Sequence, residues 1–320
     1  MKLIILIPAL NEAKSIATVI KSMPVQIEGI SEIKILVVDD GSQDDTARLA
    51  REAGAIVVSH PYNQGVGKAF ITGLGSALDM GADVMVNIDA DGQFSPTDIP
   101  ILIKPIVDGK ADFVSGDRFR TADGQLLRPE YMSKIKFWGN QRMSDLVGFI
   151  TRKRYDDVSC GFRAYSKEAL MRLNLTGKFT YTQESFLDLA NKGLSIRTIP
   201  VEVKYFPERK SRVAGSITRY MFQTIKIIFR AYRDYNPLKF FGLIGLVPLL
   251  IGIALGLFVI IHYVASGAFT PYIFVAFAAV YLFTLGILLW VVGVLADMFV
   301  RIRLNQEQLL YADKKRKYES

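Results

Sequence analysis

A mainly parallel α/β domain followed by a membrane-embedded C-terminal part is the architecture this sequence predicts, and three patterns predict it. Through residue 120, short runs rich in Val, Ile and Leu alternate with longer segments of helical periodicity. The runs are apolar at consecutive positions, as expected of strands covered by helices on both faces. Farther on, residues 240–264 and 272–296 are each 25 residues long without a formal charge. At 1.5 Å per residue such a run reaches about 38 Å, beyond the ~30 Å hydrocarbon core of a bilayer. Both are read as transmembrane helices. A fully soluble enzyme is thereby excluded, and so is intrinsic disorder, since 50% of the 320 residues are hydrophobic.

The strands are expected at Leu3–Ile7, Ile33–Val38, Ala55–Ser59, Val84–Ile88 and Phe113–Ser115. Met1-Lys2 before LIILI has the look of a signal peptide. The apolar stretch is short, however, and Pro8, Asn11 and Glu12 interrupt it, so a buried first strand fits better. Helical patterns fall at Glu12–Met23, Asp44–Ala53, Gly67–Met80 and Thr97–Val107, then at Met132–Phe149 and Gln183–Lys192, with a loop over Ala122–Glu130. The chain divides into an α/β domain over 1–215, an amphipathic stretch over 216–237, two spans within 238–303 and a basic tail over 304–320.

The net charge of +8 is concentrated. Between Lys204 and Lys239 nine basic residues face two acidic ones, Glu208 and Asp234. Beside a membrane span, an anionic lipid surface is a simpler partner for this block than nucleic acid. On a helical wheel, Arg219, Lys226, Arg230 and Arg233 gather on one side of Ser216–Tyr235 and Ile217, Met221, Ile225 and Ile228 on the other. Either an interfacial helix or an amphipathic helix packed on the globular domain has this pattern. Basic residues flank the outer ends of both spans, whereas the loop Ala265–Pro271 has no charge, which places the large domain and both ends in the cytoplasm. Gly242, Gly245, Gly252 and Gly256 offer small-residue faces for packing within the chain or in a homo-oligomer. The single cysteine, Cys160, and two histidines exclude a disulfide framework and Cys- or His-rich metal sites.

Asp89-Ala90-Asp91 follows the fourth strand directly. Carboxylates at i and i+2 of a strand share a face and can grip one hard divalent cation, with Gln93 continuing that face. An EF-hand fails, because Phe94 and Pro100 stand where Gly and Glu are needed, whereas a solvated turn remains open. Asp39-Asp40-Gly41-Ser42 closes the second strand, where Ser42 or Asp44 serves as a helix cap or the acids accept hydrogen bonds from a base or ribose. Pro8-Ala9-Leu10-Asn11-Glu12 closes the first. Three strands thus deliver polar groups to one sheet edge, the place where α/β sheets bind ligands, and a nucleotide site is the expectation. Asn63-Gln64-Gly65-Val66-Gly67-Lys68 is no dinucleotide fingerprint, since Phe70 replaces the third glycine. It leaves a glycine turn able to bring backbone N–H groups and Lys68 near phosphate. Arg118, Arg128, Arg163, Arg209 and Arg212 are candidates for a second anion, while Asp157 and Glu184 are acids with no visible partner.

PALNE, DDGS, NQGVGKA, DADGQ, DDVSCGFRAY and RVAGS, in that order and ahead of two spans, resemble the polyprenyl-phosphate glycosyltransferases of glycosyltransferase family 2, over about residues 1–235. The resemblance implies a GT-A fold and inverting transfer of a hexose from a nucleotide-sugar of the UDP-glucose or GDP-mannose type to undecaprenyl or dolichyl phosphate. It also implies that Asp89, Asp91 and Gln93 hold Mg²⁺ or Mn²⁺ and that Pro8, Asn11, Glu12, Asp39 and Asp40 hold the nucleoside, with Ala9 and Ala90 alongside. Arg118, Arg128 and Arg212 would take the acceptor phosphate. The lipid phosphate is itself an anionic nucleophile, so the lack of a Ser–His or Cys–His pair agrees with this reading. A processive polysaccharide synthase is the rival within the class, but neither Trp138 nor Trp290 has the Gln-x-x-Arg-Trp spacing. A non-catalytic nucleotide-sugar-binding scaffold is the rival outside it, and a transporter is a poor match to two spans without a central charge.

Overall fold

The computed structural model describes residues 1–121, 123–129, 132–175, 181–204, 229, 232–234 and 236–319. Arg209, Arg212 and most of the amphipathic stretch 216–237 lie outside these residues. The chain forms two compact units, one of residues 1–217 with 311–320, the other of residues 218–310.

The first unit is built on a seven-stranded sheet. Its elements in chain order are β1 (Lys2–Ala9), α1 (Ile16–Lys21), β2 (Glu32–Asp39), α2 (Thr46–Glu52), β3 (Ile56–Ser59), α3 (Val66–Asp79) and β4 (Val84–Asn87). There follow a short 3₁₀ turn, α4 (Ile99–Val107), β5 (Phe113–Asp117), α5 (Lys134–Thr151), β6 (Arg163–Ser166), α6 (Lys167–Arg172), α7 (Thr182–Asn191) and β7 (Ile196–Pro200). The sheet order is β3-β2-β1-β4-β6-β5-β7, with β6 antiparallel to both neighbours and the other pairings parallel.

Leu3, Ile4, Ile5, Leu6 and Ile7 are all fully buried, which is why β1 reads as an unbroken apolar run: it is central and covered on both faces. β3, at the sheet edge, leaves Ile56 exposed. The elements agree with the expected ones to within a few residues at their ends, and α1 begins four residues later than the pattern from Glu12, after a turn in which Ser15 and Ile16 N–H both donate to the Glu12 carbonyl. Chain order along the sheet reverses at β1: β2 and β3 lie to one side, β4 to the other. The crevice beyond the carboxyl ends of β1 and β4 is therefore the topological switch point, where a ligand reaches loops from both halves.

The second unit contains α8 (Pro237–Ser266) and most of α9 (Ile273–Glu319). Both are long and apolar enough to cross a membrane. Gly245 and Gly252 are taken up within this pair, since a Cβ on Gly245 would lie 2.9 Å from the Gly286 carbonyl and one on Gly252 2.6 Å from the Phe283 nitrogen. Only Gly256 of the expected stripe has open space beside it. α9 does not stop where its apolar run stops. Arg301 pairs with Asp297 and Arg303 with Glu307, each one turn apart, and the 47-residue helix runs through the tail, whose last residues belong to the first unit.

Candidate active site

The carboxyl ends of β1 and β2 are laced together by the polar residues that the sequence places there. Asn11 N–H donates to Ser42 Oγ (2.9 Å), Gln43 N–H to Asn11 Oδ1 (2.8 Å) and Glu12 N–H to Thr46 Oγ1 (2.8 Å). Asp39, nearly buried, accepts from Ser42 N–H at 3.1 Å. Asp40 is fully engaged in holding the next loop: Oδ1 accepts from Gln64 N–H (2.9 Å) and Oδ2 from Gly65 N–H (2.8 Å). His60 Nδ1 lies 2.7 Å from Asp40 Oδ1, and Nε2 lies 3.0 Å from Thr72 Oγ1. Asp40 thus fixes the glycine turn that opens α3, while Asp39, Asn11 and Glu12 border the crevice. Lys68 is exposed on the first turn of α3.

Asp89 and Asp91 do not sit on a strand. β4 ends at Asn87, and the chain turns through Ala90–Gly92, with Gly92 at φ +72° and Gln93 N–H donating to Asp91 Oδ1 at 3.0 Å. The expected shared strand face is therefore corrected to a tight turn, which still crowds the two carboxylates. The half-buried Asp89 carboxyl is pushed up to about 7, first by burial and then by Asp91, with Glu12 adding to the effect and Arg118 and Arg163 opposing it. Glu12 of the β1 loop, Asp89 and Asp91 of the β4 loop and Arg118 beyond β5 consequently form one electrostatic cluster at the switch point.

The antiparallel register delivers a further partner. Asn87 pairs with Arg163 at the end of the ladder, and just beyond it the chain brings Gly161 against Asp89. A Cβ at residue 161 would fall 3.0 Å from Asp89 Oδ2 and 3.2 Å from Oδ1. Asn87 Nδ2 donates to both the Gly161 carbonyl and Tyr181 Oη at 2.8 Å, pinning this approach from below.

Arg118 follows β5 and meets Asp157, which the sequence leaves without a partner. Nε lies 2.6 Å from Oδ2 and Nη2 3.0 Å from Oδ1, while Nη2 also donates to Ser159 Oγ at 2.8 Å. Burial works against the Asp157 charge, yet Arg118 and the Ser159 hydrogen bonds hold its carboxyl below the usual range. Two residues on, Arg120 Nε donates to Asp156 Oδ2 at 2.6 Å. The adjacent acids and alternate arginines are visible in sequence as charges, but their pairing depends on the β5–β6 topology.

Arg163 is corrected as an anion ligand. It is completely buried, and its N–H groups go to the carbonyls of Cys160 (2.6 Å), Thr182 (2.6 Å) and Val158 (2.9 Å). It supports the Val158–Phe162 loop and supplies positive potential to Asp89. Arg128 is exposed and donates Nη1 to the Met132 carbonyl, within its own loop.

The donor set fits a hard divalent cation: two carboxylates whose mutual repulsion such an ion relieves, with the Gln93 amide nearby in sequence, all oxygen donors. No group of three His, Cys, Asp or Glu side chains suited to a metal occurs among the described residues.

The Glycosyl transferase family 2 model matches residues 4–173. Glycosyltransferase AglJ of Haloferax volcanii is 32% identical over 311 residues, 95% of each chain. UDP-N-acetylglucosamine–dolichyl-phosphate N-acetylglucosaminyltransferase of Methanococcus voltae is 33% identical over 221 residues, 63% of this chain and 85% of that one. In fold, the chain is similar to glucosyl-3-phosphoglycerate synthase of Mycobacterium tuberculosis, crystallised with Mn²⁺, UDP-glucose and phosphoglyceric acid. The TM-score is 0.54 at 22% identity, over 71% of this chain and 79% of that one. The family match spans β1 through α6, including the Asp89–Asp91 turn, Arg118 and Gly161, and the full-length relative extends the likeness through both apolar helices. This chain is a glycosyltransferase and belongs to glycosyl transferase family 2.

Proposed function

We propose that this enzyme transfers one hexose-type sugar from a nucleoside-diphosphate donor to a polyprenyl phosphate at the cytoplasmic face of a membrane. The observation that carries the reading is the cluster of Glu12, Asp89, Asp91 and Arg118 at the switch point, carboxylates within electrostatic reach of a guanidinium held by Asp157. The acceptor class is taken from the dolichyl-phosphate relative and from two helices able to cross a membrane.

Asn11, Glu12 and Asp39 border the donor's nucleoside. Asp89 and Asp91, with Gln93, would hold Mg²⁺ or Mn²⁺, which supplies Lewis-acid stabilisation of the departing diphosphate. Arg118 orients the acceptor phosphate, already anionic at neutral pH, so that one of its oxygens attacks the anomeric carbon. A carbon–oxygen bond forms to the lipid phosphate, the bond to the donor's diphosphate breaks, and the electron pair leaves with the nucleoside diphosphate. No proton has to move, and displacement from the opposite side inverts the anomeric configuration. The role of the chain is to position two anions that repel one another.

The test is incubation of the purified protein with undecaprenyl or dolichyl phosphate, Mg²⁺ and labelled UDP- and GDP-sugars, counting label in the organic phase. Single-sugar label that disappears with EDTA and in Asp91→Ala is expected. A polymeric product would favour a processive synthase, and nucleotide binding without turnover on any donor would favour a scaffold.

A further inference from the structure

On α5 the side that faces the sheet and the side that faces outward are both partly apolar, and only the first is explained by the core. Asn140, Met143, Ser144 and Val147 are buried. On the opposite side, Ile135 (56% exposed), Trp138 (57%) and Phe149 (73%) stand in solvent. At 100° per residue, these three and Arg142 fall within about 60° of one another, on a ridge about 21 Å long. A second exposed apolar pair, Leu126 and Leu127, sits on the hairpin closed by Leu127 N–H donating to the Phe119 carbonyl (2.7 Å). That hairpin rests on the first turns of α5 through Phe119 against Phe137, ring centroids 5.2 Å apart.

The charges around this ridge are predominantly basic, with Asp123 of the hairpin an exposed exception. Residues 134–154 contain Lys134, Lys136, Arg142, Arg152, Lys153 and Arg154 against one acid, Asp145, which is paired with Arg142 at 3.3 Å. Arg152, Lys153 and Arg154 are exposed just beyond the end of the helix. Large exposed apolar side chains normally mark a contact, and a ridge that mixes Trp, Ile and Phe with bases suits the boundary between headgroups and acyl chains. Self-association through this face would bring two strongly positive surfaces together, which disfavours a second copy as the occupant.

We propose that the outward face of α5, together with the Leu126–Leu127 hairpin, docks into the headgroup layer of an anionic membrane. This gives the catalytic unit an attachment to the bilayer besides the two spans. The inference rests on α8 and α9 being spans, and the two tryptophans of the chain report on the two ideas separately.

Two single-tryptophan variants of the full chain, Trp290→Phe and Trp138→Phe, would be reconstituted into vesicles of phosphatidylcholine with or without phosphatidylglycerol. Each preparation is repeated with lipids brominated near the headgroup or deep in the chains. In Trp290→Phe, the emission of Trp138 is expected to shift to the blue and to be quenched by shallow bromine when phosphatidylglycerol is present. Adding Arg152→Glu, Lys153→Glu and Arg154→Glu should relieve that quenching. In Trp138→Phe, Trp290 should be quenched by bromolipid in both lipid compositions. Trp138 untouched by any bromolipid while Trp290 is quenched would overturn the docking and leave the spans standing. Trp138 shielded from aqueous iodide yet not quenched by lipid would also overturn it, in favour of a protein partner. Failure at Trp290 would instead remove the spans on which the proposal rests.

Discussion

Arg118 and Asp157 meet at two points, Nε to Oδ2 at 2.6 Å and Nη2 to Oδ1 at 3.0 Å, and the Asp157 carboxylate is wholly enclosed. The pair is asymmetric, because the Arg118 side chain remains 15% exposed and faces the crevice cluster, whereas Asp157 has no route to solvent. Arg118→Ala is expected to cost on the order of 3 kcal/mol by stranding a buried charge. Asp157→Asn should cost less. In the double variant Arg118→Ala/Asp157→Asn, thermal stability should largely return while saturation by the lipid acceptor does not. Since the folded carboxyl lies below the unfolded one, the stabilisation is present above about pH 4 and is lost as pH falls through the folded value. Asp157→Asn should lack that part of the acid slope, and melting curves from pH 3 to 7 would check it.

Gly161 is the residue whose replacement separates site from scaffold. A methyl group there meets the Asp89 carboxylate at 3.0 Å, and its three nearest atoms all belong to that carboxylate. Gly161→Ala is predicted to lower activity about 10- to 100-fold, chiefly as a raised Mg²⁺ requirement, because the carboxylate is turned from its position. Its melting temperature should change by no more than a few degrees. Unchanged metal activation would show that Asp89 moves freely and that the close approach is incidental.

What could be read from the sequence follows the range of the interaction involved. Ile4 and Ile5 announce a central strand because covering both faces removes every polar position locally. Asp89 and Asp91 announce themselves by standing at the end of such a run, although Gly92 bends the chain so that their closeness comes from a turn rather than from strand parity. Asp157 is silent: its partner lies 39 residues away and across a strand reversal that local patterning does not specify. Arg163 is misleading for a related reason, since an arginine written in sequence does not say whether its donors meet an anion or, as here, three backbone carbonyls. At Asp297 the first charge marks the end of a hydrophobic run, but helix formation depends on propensity and one-turn ion pairs, and α9 continues.

Asp117, at the end of β5, is buried with Oδ2 lacking a hydrogen-bond partner among the described residues, while Oδ1 accepts from Phe119 N–H at 2.9 Å. Burial pushes its carboxyl up to about 6, with Asp157 and Asp156 adding to the shift. The folded value exceeds the unfolded one, so this group stabilises the fold below about pH 4 and loses that contribution as pH rises toward 6. Asp117→Asn is therefore expected to raise stability by on the order of 1–2 kcal/mol at neutral pH and to change little below pH 4. A stabilisation that grew toward acid would contradict the assignment.

The end of α9 offers a graded test of which contacts hold the tail to the catalytic unit. Tyr311 Oη reaches both Glu168 oxygens, at 2.9 and 2.8 Å, and its ring lies under Arg172. Lys314 Nζ approaches the Met171 and Leu173 carbonyls at 3.2 and 3.4 Å, so a cation satisfies the end of α6 where burial lowers its own tendency to be charged. Lys317, by contrast, pairs with Asp79 at 2.8 Å with both side chains more than half exposed. Tyr311→Ala and Lys314→Ala should each destabilise the catalytic unit by about 1–2 kcal/mol and speed amide exchange in α6. Lys317→Ala should stay within about 0.5 kcal/mol of the parent, because an exposed ion pair gains little over its hydrated charges. Equal effects at all three positions would mean that the tail is held by its net charge, in which case added salt should release it as effectively as mutation.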